Sequence, residues 1–130
     1  MATHADVRRI ASALPDTGEG SGQFAFSVRN GKKDKGFAWE WKERVEPKQP
    51  RVANPKVLAV RVANEGEKQA LIASDPEKFF TEPHYNGFPA VLVRLPKIRT
   101  AELRELLIDA WRCQAPRKLV AEYDAGSPER

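Results

Sequence analysis

Apolar residues recur at helical spacing near both ends of the chain. The first stripe consists of Val7, Ile10, Ala11 and Leu14, and the second consists of Leu103, Leu106, Leu107, Ala110 and Trp111. Thr3 with Asp6 forms a capping-box pattern before the first stripe, and Thr100 stands in the cap position before the second. Pro15 and Pro116 follow the two stripes. The pattern therefore predicts one amphipathic helix at each end.

Alternation of apolar and polar residues predicts strands between these helices. The segments QFAFSV (23–28) and FAWEWK (37–42) have period two and are rich in aromatic residues. The turn pair Asn30-Gly31 between them indicates a β-hairpin with an exposed tip. The second strand would place three aromatic residues on one face, namely Phe37, Trp39 and Trp41. We expect this face to be buried beneath a helix.

The remaining segments complete a predicted α+β fold. VLAVRVA (57–63) predicts a third strand, 67–74 a short helix, and AVLVRL (90–95) a buried central strand. Strands that run together, instead of alternating with helices, favour a two-layer sandwich. Its mainly antiparallel sheet would be covered on one face by the N- and C-terminal helices. We predict a single domain over residues 1–123, followed by a flexible tail over 124–130.

Positive charge is concentrated around the predicted hairpin. The net charge is +4, but residues 29–56 alone contain nine basic and four acidic side chains. Such clustering predicts contact with nucleic-acid phosphates and little sequence specificity. The candidate residues are Lys32, Lys33 and Lys35 at the tip, Lys42 and Arg44 in the second strand, and Lys48, Arg51 and Lys56 in the following loop, with Arg117 and Lys118 as a second patch. A solvated, lysine-rich turn is the competing interpretation.

The composition excludes several functional classes. One cysteine, Cys113, permits no internal disulfide, and two distant histidines give no zinc spacing. No apolar run approaches the ~20 residues of a membrane span, and the first residues lack a signal-peptide core. No phosphate loop or nucleophile motif occurs. The sequence therefore predicts a cytoplasmic protein, monomeric, without enzymatic activity, cofactor or metal.

The segment TEPHYNGFPAVLVRL (81–95) contains the one remaining candidate site. His84 lies between two prolines and beside the turn pair Asn86-Gly87, which is typical of a turn that leads into a strand. A structural or surface role is therefore the more common outcome for this histidine. The alternative is a groove that binds a small molecule or a protein instead of nucleic acid. Its residues would be Trp39, Trp41, His84, Tyr85 and Asn86.

Two long segments resemble the MmcQ/YjbR family. They are SDPEKFFTEPHYNGFPAVLVRL (74–95) and ELRELLIDAWRCQAPRKLV (102–120), and the resemblance extends over residues 4–122. It is most specific over 80–95 and 111–119. The resemblance implies a CyaY-like α+β fold, with a sheet flanked by two long helices on one face. It also implies DNA binding by a "double wing" of hairpin loops, and it assigns no catalytic residue.

Overall fold

The computed structural model describes residues 1–43, 48 and 50–126. Arg44 therefore lies outside the described residues. The helices are α1 (His4–Ser12), α2 (Glu65–Ser74), α3 (Thr100–Gln114) and α4 (Arg117–Gly126), with short 3-10 helices at Pro83–Tyr85 and Leu95–Lys97. The strands are β1 (Thr17–Glu19), β2 (Ala25–Asn30), β3 (Lys33–Glu43), β4 (Val52–Arg61), β5 (Phe79–Phe80) and β6 (Ala90–Arg94).

The six strands form one sheet in the order β1-β2-β3-β4-β6-β5. Every neighbouring pair is antiparallel, and β2 and β3 form the predicted hairpin. The apolar strand β6 lies inside the sheet, between β4 and β5, as its continuous apolar pattern predicts. The α+β class with an antiparallel sheet is therefore confirmed.

Helices α1 and α3 pack against each other and cover one face of the sheet. Trp111 of α3 is fully buried there, and its Nε1 donates to the carbonyl oxygen of Pro15 at 3.0 Å. The capping box of Thr3 and Asp6 is present at the start of α1, as predicted. The predicted cap of α3 is wrong, because Thr100 is the first helical residue and Arg99 precedes it without a side-chain cap. Both apolar stripes nevertheless face the sheet.

A β-bulge separates the aromatic residues of β3. Opposite the step from Phe26 to Ser27 in β2, strand β3 advances by two residues, and Phe37 is the extra one. The extra residue shifts the alternation of side chains by one position. Phe37 consequently packs under the helices, whereas Trp39 and Trp41 pack on the opposite face of the sheet. The prediction that these three residues share a face buried beneath a helix is therefore wrong.

We call the face that carries the two tryptophans the open face. A small cluster of buried residues lies on it, formed by Val57, Ala59 and Leu92. The partly buried aromatic residues above this cluster are Trp39, Trp41, Phe80 and Tyr85. The sheet is therefore apolar on both faces, although α1 and α3 cover only one of them.

Two strands and one α-helix lie where the sequence pattern predicts none. Strands β1 and β5 form the two edges of the sheet, and α4 begins directly after Pro116. Proline at this position ends α3 because it lacks an amide hydrogen, yet it is well tolerated immediately before a new helix. The described part of α4 reaches Gly126, and residues 127–130 lie outside the description.

Candidate functional site

The tip of the β2–β3 hairpin presents three exposed lysines, Lys32, Lys33 and Lys35. The turn needs Gly31, whose φ of +66° is costly for any residue with a side chain. The negative charge of Asp34 is offset by Arg29, whose guanidinium lies 3.3 Å from the Asp34 carboxylate, so Asp34 does not cancel a lysine charge. The tip therefore keeps an excess of positive charge.

Two hydrogen bonds anchor this tip to the end of α3. Asn30 Nδ2 donates to the carbonyl oxygen of Gln114 at 2.9 Å. The side chain of Gln114 returns a bond from Nε2 to the carbonyl oxygen of Gly36 at 3.0 Å. Because α4 begins three residues after Gln114, the backbone of its first residue, Arg117, lies at most about 11 Å from that of Gln114. Arg117 and the next residue, Lys118, are both exposed.

We call this set of five cations the tip patch: Lys32, Lys33, Lys35, Arg117 and Lys118. Arg117 and Lys118, predicted as a second patch, follow the anchored residue Gln114 by three and four positions. The amino-terminal end of α4 adds the partial positive charge of a helix dipole. Electrostatically, the tip patch suits a polyanion.

The other predicted cations follow one another from the end of β3 into β4. We call them the loop patch: Lys42, Lys48, Arg51 and Lys56. The prediction that Lys56 lies in a loop is wrong, because β4 begins at Val52 and includes it. Lys42 follows Lys35 by seven positions along the bulged strand, which corresponds to at most about 23 Å. The lysines of the loop patch are exposed, whereas Arg51 is half-buried and donates to the Lys42 carbonyl oxygen and to Glu82. The predicted basic residues thus form two patches instead of one.

Between the patches, the open face contains a cavity of about 460 Å³ beside the two tryptophans. We call it the aromatic groove. Its lining residues are Gln23, Phe24, Ala25, Trp39, Glu40, Trp41, Lys42, Arg51, His84 and Tyr85. Four residues of the predicted alternative groove thus meet at one site, and Asn86 is not part of the lining. The volume falls in the range of small-molecule sites.

Hydrogen bonds fix both indole rings at the groove. Trp39 Nε1 donates to the Tyr85 hydroxyl at 3.0 Å, and Trp41 Nε1 donates to Glu82 Oε2 at 2.9 Å. The Phe80 ring packs edge-on against Trp41, with 5.5 Å between the ring centroids. The polar end of each tryptophan is therefore satisfied inside the protein, and the orientation of each ring is restricted.

Glu82 connects the groove to the 3-10 helix at Pro83–Tyr85. Its carboxylate accepts from Trp41 Nε1, from the His84 amide at 2.8 Å and from Arg51 Nη1 at 3.3 Å. Burial alone raises the pKa of Glu82, but these three hydrogen bonds outweigh it and hold the pKa below its ordinary value. The charged carboxylate is therefore the form that the groove stabilises.

This arrangement predicts a pH-dependent contribution to stability. Because the folded pKa of Glu82 is depressed, its contribution is fully present above the unfolded value of about 4.3 and disappears as the pH falls through the folded pKa. Thermal unfolding of the protein and of Glu82→Gln should therefore differ at pH 7 and converge at acidic pH. Other carboxylates titrate in both proteins, so the difference between the two melting temperatures isolates Glu82. A difference that is constant with pH would contradict this role.

Lys68 was not predicted as a site residue, yet it holds the backbone of the turn that lines the groove. It is fully buried in α2, and its Nζ donates to the carbonyl oxygens of Tyr85 at 2.6 Å and Phe88 at 3.1 Å. The carboxylate of Glu65 lies 4.0 Å from the same ammonium group. Lys68 thereby fixes the turn that carries His84 and Tyr85. A signal was available, because Lys68 precedes the partly buried Leu71 and Ile72 at helical spacing of three and four.

His84 lies at the edge of the groove. Its side chain is exposed, and its ring lies edge-on to Tyr85 at 5.7 Å. Cys113 belongs to α3, on the other side of the sheet, and burial raises the pKa of its thiol. Among the residues that the structure describes, no group of three or more histidine, cysteine or acidic side chains could hold a metal.

Comparisons with known proteins agree on the family and the fold. The family model described as YjbR matches residues 12–113. Uncharacterized proteins of Mycobacterium bovis (Mb2600) and Mycobacterium tuberculosis (Rv2570) are each 41% identical to the chain over 133 residues, covering 98% of it and 99% of their own length. The fold resembles the crystal structure of Deinococcus radiodurans protein DR2400, family-model domain DUF419, with a TM-score of 0.64 and 21% identity, covering 99% of this chain and 85% of that one. Over 1–43, 48 and 50–126, no helix has the length and apolarity to span a membrane.

Proposed function

The chain belongs to the YjbR family, and from this premise we propose that it binds double-stranded DNA through the phosphate backbone, with little sequence specificity. The observation that carries the proposal is the attachment of the hairpin tip to the end of α3, three residues before the start of α4. The tip patch concentrates five exposed cations there, and its neighbouring acid is already paired. Neutralising phosphates with such cations releases counterions, which drives binding.

The loop patch supplies a second contact. It lies at most about 23 Å from the tip along β3, and each base pair of a duplex adds about 3.4 Å of length. The two patches would therefore contact phosphates up to about seven base pairs apart. In this proposal the tip patch and the loop patch correspond to the two wings that the family resemblance implies.

The type of side chain determines the expected specificity. Most of the cations in both patches are lysines, which contact phosphates as point charges instead of through a fixed, two-pronged geometry. Phosphate contacts set position and affinity but do not read bases. We therefore expect similar affinities for duplexes of different sequence.

The triple variant Lys32→Ala/Lys33→Ala/Lys35→Ala tests the proposal. It should bind a labelled duplex at least about tenfold more weakly at low salt. The plot of log affinity against log salt should also lose about 3 units of slope, since each phosphate contact contributes about 0.9. Fluorescence anisotropy at several salt concentrations measures both quantities.

Lys32→Arg/Lys33→Arg/Lys35→Arg is the matched control, because it keeps the charge at the same positions. It should retain both the affinity and the slope. If the alanine variant binds as tightly as the unmodified protein, the lysines of the tip are ordinary surface residues and the proposal is wrong.

A second candidate function is the binding of a small planar molecule in the aromatic groove, independent of DNA. The observation in its favour is that Trp39 and Trp41 line a cavity beside His84 instead of filling the core under the helices. Such a ligand would raise the melting temperature in the absence of DNA. The tip lysines would have no influence on its affinity.

A further inference from the structure

We propose that the aromatic groove binds unpaired bases of single-stranded DNA, so that the protein prefers DNA with a single-stranded segment to a continuous duplex. This inference rests on the proposed DNA binding and adds to it the form of DNA that the protein prefers. Bases stack on aromatic side chains in proteins that bind single strands, and basic residues beside them follow the phosphates. The open face combines both features.

The tryptophan rings are prepared for stacking. Each indole nitrogen already donates a hydrogen bond, Trp39 to Tyr85 and Trp41 to Glu82. Lys68 in turn fixes the backbone of the turn that contains Tyr85. Rings held in this way lose little conformational freedom when a base is added, which favours affinity.

The space beside these rings extends beyond the aromatic groove. A second cavity of about 250 Å³ is lined by Trp39, His84, Tyr85 and Phe88, and it shares the first three of them with the groove. Phe88 is 42% exposed although its ring lies edge-on to Trp39 at 6.2 Å. Two adjoining cavities with aromatic walls suit consecutive bases of one strand.

A purely structural role, in which the aromatic side chains shield the buried cluster of the open face from water, explains only part of the aromatic groove. Trp39, Trp41 and Tyr85 do cover the small buried cluster on that face. Shielding requires neither an adjoining cavity nor a half-exposed phenylalanine at its outer wall. Cavities lined by aromatic side chains with a few polar groups are typical of binding sites.

The charges around the groove favour an anionic strand over a neutral peptide. Lys42 and Arg51 line the cavity together with the carboxylate of Glu40, and Arg51 is also paired with Glu82, so these side chains balance in charge. The positive excess comes from two further guanidinium groups over aromatic rings of the same face, Arg61 over Phe88 at 5.7 Å and Arg94 over Phe80 at 4.0 Å. A strand whose bases enter the groove can place its phosphates along Lys42 and the loop patch.

A continuous duplex cannot use this site, because its bases are already stacked on one another. Duplex DNA has the higher charge density and would be the preferred ligand of a purely electrostatic binder. A preference for single strands would therefore require stacking. This contrast separates the groove from the tip patch.

The test compares a labelled twelve-nucleotide oligothymidylate with a duplex of equal length at one salt concentration. We expect the single strand to bind about fivefold tighter or more, and Trp39→Ala to weaken its binding by about tenfold or more. Binding of the duplex should change less than about twofold. Val52→Ser is the matched control, because it removes an exposed apolar side chain of the same sheet outside the groove.

Two further measurements keep the test valid if Trp39→Ala unfolds. Phe88→Ser removes a half-exposed side chain and should weaken only single-strand binding. The tryptophan emission of the unmodified protein should be quenched by the single strand and not by the duplex. Trp111 is fully buried and should remain unquenched, so quenching reports on the groove.

Each outcome has a distinct meaning. Duplex binding without quenching or single-strand preference would overturn the inference and leave the proposed function intact. Saturable quenching by thymidine monophosphate as strong as that by the oligothymidylate would also overturn it, in favour of a free nucleotide. Absence of binding to either DNA at low salt would reject the proposed function together with the inference.

Discussion

Trp111→Ala is expected to lower the free energy of unfolding by about 3–5 kcal/mol, the range for removing a large buried aromatic side chain. The indole is fully buried between α3, α1 and the sheet. Its loss would leave a cavity in the core and remove the contact of the indole with the ring of Tyr123, 5.1 Å away. The Pro15 carbonyl oxygen would also lose the hydrogen bond from Nε1. Urea denaturation monitored by circular dichroism measures the change.

Two further variants show whether the loss of stability in Trp111→Ala comes from the buried indole. Trp111→Phe keeps part of the ring volume but removes the N–H donor, so it should cost less than alanine and more than a surface change. Phe88→Ala alters an aromatic residue that is 42% exposed and should change stability much less. A cost for Trp111→Ala below about 1 kcal/mol would contradict the packing of α1 and α3 over one face of the sheet.

Lys68→Ala is expected to produce the second-largest effect, a loss of about 2–4 kcal/mol. The side chain is fully buried, so its removal leaves a cavity under the turn at His84. It also removes the hydrogen bonds of Nζ to the carbonyl oxygens of Tyr85 and Phe88. Thermal and urea unfolding measure the loss of stability, and quenching by single-stranded DNA measures the effect on the groove.

Lys68→Met separates packing from hydrogen bonding. Methionine restores most of the buried volume and removes the buried charge, while both carbonyl oxygens keep one backbone partner each, from the amides of Phe88 and Ala90. Most of the stability should therefore return. The turn would still lack its tie to α2, so stacking at Trp39 should remain impaired. If Lys68→Met leaves both stability and quenching unchanged, the ammonium group does not organise the groove.

The elements that depend on local patterns were predictable from the sequence. The two apolar stripes predict α1 and α3 because helix burial has a period that the chain displays directly. The hairpin follows from Asn30-Gly31, and the internal strand β6 follows from its continuous apolar run. These features need no information about distant parts of the chain.

The arrangement of the aromatic residues was not predictable in this way. Strict alternation places Phe37, Trp39 and Trp41 on one face, but one extra residue in β3 transfers both tryptophans to the other face. A bulge is a property of the pairing between two strands, and the sequence of one strand does not reveal it. The open aromatic face therefore became visible only in the structure.

The candidate site was likewise predictable only in its parts. The basic residues stand out by composition, yet their division into two patches depends on the length of β3 and on contacts between residues far apart in sequence. Asn30 and Gln114 are 84 positions apart, and their hydrogen bond attaches the hairpin to the end of α3. Lys68 was missed because a lysine is usually read as a surface residue.

The salt dependence of duplex affinity for the unmodified protein tests the proposed DNA binding most directly. Fluorescence anisotropy of a labelled duplex, titrated at several salt concentrations, gives the slope of log affinity against log salt. Neutralisation of several phosphates by the tip and loop patches predicts a slope of about −4 or steeper. Absence of binding at low salt, or an affinity that does not change with salt, would contradict phosphate recognition by these patches.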